Sequence, residues 1–204
     1  MRYGAGLLSA AAIAIVLMLL GPRAGSGAER PGEKIVKTTC VQCHRFEGKP
    51  ESRFNLKAPD LIWAGSKYQR PWLIRWLTGK EALLYAKGYR WDLTGAPSKH
   101  PMVTEPEANA IADYFAANNK DPRVTVGAFE LSKVTKFEAA FGGMAYKAHA
   151  CLGCHVIEEN GKLIGGPQST SLVAAGQRYN QDWLFRFGQN PQDFTPHSGE
   201  FLAD

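Results

Sequence analysis

Hydrophobic positions along the chain fall into one unbroken block near the start and several short periodic windows after it. From Leu7 to Leu20 the chain runs 14 residues without a charge and stops at Gly21-Pro22. A spanning helix needs roughly 20 apolar residues. With Arg2 ahead and the small residues Ser26-Gly27-Ala28 behind, residues 1–28 fit a cleaved export signal, an uncleaved N-terminal anchor being the alternative. The periodic windows predict helices at Gly32–Thr39, Gln69–Thr78, Lys133–Ala150 and Asn180–Gly188. Thr104-Glu105-Pro106-Glu107 is a capping box with proline in the first turn, followed by Ile111, Tyr114 and Phe115 on one helical face. That helix should end between Asn118 and Pro122. The class is all-α.

The pattern occurs twice. A shift of 111 residues superposes 32–76 on 143–187 without a gap, with 12 identities in 45 positions. Gly32 falls on Gly143, Leu61 on Leu172, Gly65 on Gly176, Tyr68 on Tyr179, Trp72 on Trp183 and Arg75 on Arg186. This is a tandem duplication, and it divides the chain into a first domain at 29–120, a linker at 121–130 and a second domain at 131–204. The counterpart of the 105–119 helix would fall beyond residue 204, so the second domain is expected to lack its closing helix.

All four cysteines lie within the duplicated unit. Cys40-Val41-Gln42-Cys43-His44 and Cys151-Leu152-Gly153-Cys154-His155 are both C-x-x-C-H, the attachment signature of c-type heme. Two intervening residues let both thiols reach the vinyl groups on one porphyrin edge as thioethers. The histidine that follows then lies under the iron. A thioredoxin-like pair would need a preceding strand, and these motifs follow helical patterns. A four-cysteine zinc site would have to converge across 111 residues and would leave both histidines unexplained. Two covalently attached heme c groups are therefore expected, with His44 and His155 as proximal ligands.

Composition narrows the class. With 45% hydrophobic and 21% charged residues, the chain is neither disordered, fibrous nor multiply membrane-spanning. The net charge of +5 comes without a dense Lys/Arg cluster, which removes nucleic acid as a partner.

On its motifs, the first domain resembles class I cytochrome c: a glycine-bearing helix leads into C-x-x-C-H, then come a loop, a middle helix, a methionine and a closing helix. The tandem layout behind an export signal resembles dihaem cytochromes of the c4 type. The resemblance implies Met102 as distal ligand of the first heme, with His100 as rival, and proximal histidines held by the carbonyls of Pro59 and Pro167. The second heme fits the pattern poorly. His197 is its candidate distal ligand, Met144 and His149 are weaker ones, and an open iron or a ligand from another chain completes the alternatives. Tyr68, Trp72 and Arg75, and likewise Tyr179, Trp183 and Arg186, share one helical face. Their rings read as core, and their polar tips and guanidiniums as candidate partners of the heme propionates. Without Arg2 and Arg23 the formal charge falls to +3, and four ionised propionates bring it to about −1, so the basic balance is no sign of an acidic partner.

Three functions follow. The first is an extracytoplasmic, periplasmic dihaem carrier passing single electrons between donor and acceptor proteins, soluble or held to the membrane by its N-terminus. The second is an electron-transfer subunit of a larger oxidoreductase complex that covers the second domain. The third is a heme enzyme with an open iron at the second site. The carrier reading is preferred over a catalyst, and no catalytic residue is assigned.

Overall fold

The computed structural model describes residues 30–48, 58–81, 100–166 and 169–194. The proposed signal (1–28), Pro167 and His197 lie outside them. Among the described residues no helix is long and apolar enough to cross a membrane.

Helix α1 (Pro31–Thr38) starts at a proline and carries Glu33 in its first turn and Lys37 in its last, favourable ends for the helix dipole. It runs through a short turn into Cys40–Gln42, a single 3₁₀ turn. A short α2 (Ala64–Lys67) and α3 (Arg70–Leu77) follow the loop. Helix α4 (Glu105–Asn118) opens on the expected capping box, where Glu107 Oε2 accepts from the Thr104 backbone N–H at 2.8 Å. Its buried face is Ala108, Ile111, Ala112 and Phe115, spaced i, i+3, i+4, i+7. Ile111 packs in one core with Val36 of α1 and with Trp72, Leu73 and Leu77 of α3.

Glycine decides how closely α4 can pass. A Cβ on Gly32 would stand 2.0 Å from the Ala110 carbonyl oxygen, and one on Gly65 would stand 2.1 Å from that of Phe115. Both contacts are with backbone, which cannot swing away as a side chain would. Gly143 and Gly176, the counterparts of these two glycines in the second half, have nothing within 4 Å of the same Cβ position.

The second half repeats the order. Helix α5 (Lys136–Ala148) leads to a 3₁₀ turn at Cys151–Gly153, and α6 (Ala175–Arg178) and α7 (Gln181–Gln189) lie 111 residues after α2 and α3. Two local signals went unread in the sequence. Thr135 and Glu138 form a second capping box, Glu138 Oε2 accepting from Thr135 N–H at 2.8 Å, so α5 begins at Lys136 and not at Lys133. The loop after the second motif is also not purely helical or irregular. Strands β1 (Ile157–Glu159) and β2 (Lys162–Ile164) pair antiparallel around Asn160-Gly161, both residues at positive φ, as a two-residue hairpin turn requires.

The segment expected to be a linker is strapped down at both ends. Asp121 is buried, its carboxylate accepting from Arg123 Nε at 2.8 Å, and Arg123 donates to the Asp193 carbonyl at 3.0 Å. Further on, Asp182 of α7 accepts from the backbone of Gly127 and Phe129. The halves also meet directly. Tyr68 and Tyr179 form an antiparallel bridge, with Gln69 N–H donating to Arg178 O and Asn180 N–H to Lys67 O, both at 2.9 Å. Each pairing is the other's image under the 111-residue shift, so the contact is isologous within a single chain.

The two glycine environments give a paired expectation. Gly32→Ala should cost about 1–3 kcal/mol, the range for forcing atoms into a filled contact. Gly143→Ala should leave stability unchanged or raise it by up to about 1 kcal/mol through helix propensity. Denaturant unfolding of the two variants checks this.

Candidate heme sites

Each cysteine motif is a tight backbone turn. His44 N–H donates to the Cys40 carbonyl and His155 N–H to that of Cys151, both at 2.9 Å. The chain therefore folds back on the first cysteine at the point where the histidine leaves it. All four thiols are free. Burial raises the Cys40 thiol above its ordinary pKa.

The loop beneath each histidine is repeated bond for bond. Leu61 N–H donates to Arg45 O and Leu172 N–H to Val156 O, each at 2.8 Å. His44 Nδ1 lies 2.6 Å from the Pro59 carbonyl oxygen, the partner that the resemblance implies. His155 Nδ1 lies 2.7 Å from the carbonyl of Thr170. Thr170 is 15 residues after its histidine, as Pro59 is after His44, so the two loops keep one register. The expectation of Pro167 rested on matching a proline, but the acceptor is a main-chain oxygen that any residue supplies. With Nδ1 engaged on each ring, Nε2 is left for a metal. Burial lowers the pKa of His44, the Pro59 carbonyl opposes this, and nearby His100 adds to the lowering; the neutral, metal-binding form is favoured.

The chain segment with both distal candidates returns to the first motif. The His100 ring is centred 6.1 Å from that of His44 and 5.5 Å from that of Trp76. Met102 is largely exposed, its sulfur packed at Gly79. In the second half Met144 is exposed on α5 and His149 caps that helix.

The aromatic residues predicted on the middle helices sit at the junction of the two halves. Their rings form a continuous series, Trp76–Trp72–Tyr68–Tyr179–Trp183–Phe187, with neighbouring centroids 5.1–5.9 Å apart. The two arginines are engaged elsewhere. Arg75 Nε donates to Glu81 Oε2 at 2.9 Å, and Arg186 pairs with Asp193. The cations that the sequence reading missed are Lys67 and Arg178, one position before each tyrosine. Neither is paired with a carboxylate among the described residues. Arg178 is only 8% exposed, and its Nε is buried without a partner, as is Trp183 Nε1. Buried donors without acceptors carry a large desolvation cost unless something accepts from them. Heme fits the residues present: its vinyl groups suit the free thiols of each motif, and its carboxylates suit buried donors of the Arg178 and Trp183 kind. The signal for these cations was the 111-residue register, which aligns Lys67 with Arg178 although the residue types differ.

Residues 29–118 match the family model for cytochrome c. The cytochrome bc1 complex cytochrome c subunit of Mycobacterium tuberculosis is 23% identical over 205 residues, covering 98% of this chain and 68% of that protein. The subunit of the same name from Mycobacterium bovis matches to the same extent. No solved structure gives a significant match.

Because both acceptors are backbone carbonyls, Pro59→Ala and Thr170→Ala should each keep the histidine bond. In proton NMR spectra both imidazole Nδ1 protons should stay slowly exchanging in either variant.

Proposed function

We propose, from the premise that residues 29–118 are a class I cytochrome c domain, that the whole chain is a two-heme electron carrier exported from the cytoplasm. The observation that carries this reading is the duplicated histidine geometry: two C-x-x-C-H turns, each with its imidazole bonded to the carbonyl 15 residues on. The first heme belongs on Cys40, Cys43 and His44, beneath the segment that carries His100 and Met102. The second belongs on Cys151, Cys154 and His155, with His197 as the candidate sixth ligand.

Bound heme supplies a one-electron iron couple. The chain's own part is to hold it still. The thioether cysteines fix the porphyrin edge, and the engaged Nδ1 of each histidine fixes the ring and raises its basicity as a ligand. A heme held by protein ligands on both faces would leave no place for substrate, which favours electron transfer over catalysis.

Membership of a larger complex is supported by a separate observation. Phe137, Phe141 and Met144 of α5 are 77%, 60% and 60% exposed, on the helix whose Gly143 faces open space. The curated relatives are subunits of a bc1 complex, and an apolar face of this kind suits a protein contact.

Mass spectrometry and heme staining test the two-heme reading. The intact protein should carry two heme c groups, and Cys40→Ala/Cys43→Ala or Cys151→Ala/Cys154→Ala should each leave one. Potentiometric titration should show two reversible one-electron steps. Retention of unmodified thiols at either motif in protein made by heme-ligating cells would overturn it.

A further inference from the structure

The two cations at the junction, neither paired with a carboxylate among the described residues, are crossed. Arg178 belongs to the second half, yet its guanidinium lies 4.9 Å from the ring centre of Trp72 in the first half. Lys67 belongs to the first half, and its ammonium lies 4.9 Å from the ring centre of Trp183 in the second. Both also lie over the central tyrosines, at 4.8–5.7 Å. This placement follows from the antiparallel bridge, because Arg178 O accepts from Gln69 N–H, at the N-terminal boundary of α3. Residue 178 is thereby carried onto the helix that holds Trp72.

Trp72 leads to the first heme site. Its ring stacks on Trp76 at 5.9 Å with 6° between planes, Trp76 meets His100, and His100 meets His44. Arg178 therefore stands at the far end of a ring series that starts at the first proximal histidine. It is also a charge poorly screened by water, being over nine-tenths buried with Nε unmatched. Its charge and that of Lys67 are already felt at the junction. Burial pushes the Tyr68 phenol up in pKa, and these two charges and their hydrogen bonds outweigh it.

We infer that Arg178 of the second half sets the reduction potential of the heme in the first. A nearby fixed cation favours ferrous over ferric iron, since reduction removes one positive charge from the site. The second half would then fix the potential of the heme in the first. The inference rests on the proposed heme-binding function, but needs only the heme at Cys40 and Cys43.

Potentiometry of the full-length Cys151→Ala/Cys154→Ala protein tests it with one heme and no ambiguity of assignment. Arg178→Gln should lower the potential so that the ferric-to-ferrous ratio at fixed solution potential rises roughly tenfold. Arg178→Lys should restore most of the difference, and Lys67→Gln should shift this heme less than Arg178→Gln does. Arg178→Met, which keeps the apolar stem over the rings, serves should the glutamine variant lose heme. An unchanged potential in the charge-removing variant, an equally low one in Arg178→Lys, or a larger shift from Lys67→Gln would overturn the inference. Absence of heme at Cys40 and Cys43 in the otherwise unsubstituted protein would instead overturn the function itself, and the inference with it.

Discussion

In both halves a histidine ring has one nitrogen held by a main-chain carbonyl, and the loop architecture is built around that bond. The acceptor must be a carbonyl brought back under the ring 15 residues later. The backbone bond from Leu61 to Arg45, or from Leu172 to Val156, closes the loop at that length. What fills the loop is then free to differ. In the second half it contains a β-hairpin, and the carbonyl still arrives at the same position.

Much of this was legible in the chain because it depends on residue type. Cysteine and histidine at fixed spacing, Thr104 with Glu107, and the spacing of Ile111 and Phe115 each name their own structure. The role of Gly32 was legible only as an identity with Gly143. Its physical reason, backbone approach to Ala110, appears once α4 is in place. What was less legible depended on backbone atoms, on local ion pairs or on the junction between the halves. Thr170 supplies a carbonyl, for which side-chain identity is silent. Arg75 and Arg186 looked free for a carboxylate ligand, yet acids close by in the chain, Glu81 and Asp193, take them. Lys67 and Arg178 have no carboxylate partner among the described residues, and only the junction shows that both are turned inward over aromatic rings. The hairpin and the second capping box are encoded by plain local signals, Asn160-Gly161 and Thr135-x-x-Glu138.

The contrast between Gly32 and Gly143 separates two reasons for a glycine to persist. At Gly32 the close helix crossing is present and a Cβ is excluded. At Gly143 the same residue stands in open space beside Phe137, Phe141 and Met144. A helix of good propensity would gain from alanine there, so within the described residues the glycine has no packing reason of its own.

The isologous bridge through Tyr68 and Tyr179 has a consequence for concentration. Two separate domains meeting through so small a face would part on dilution, and their spacing would vary with the amount of protein present. Joined in one chain, with Asp121, Arg123 and Asp182 anchoring the connection, the second partner is always present at a high effective concentration. The pairing becomes a property of each molecule and persists however dilute the compartment.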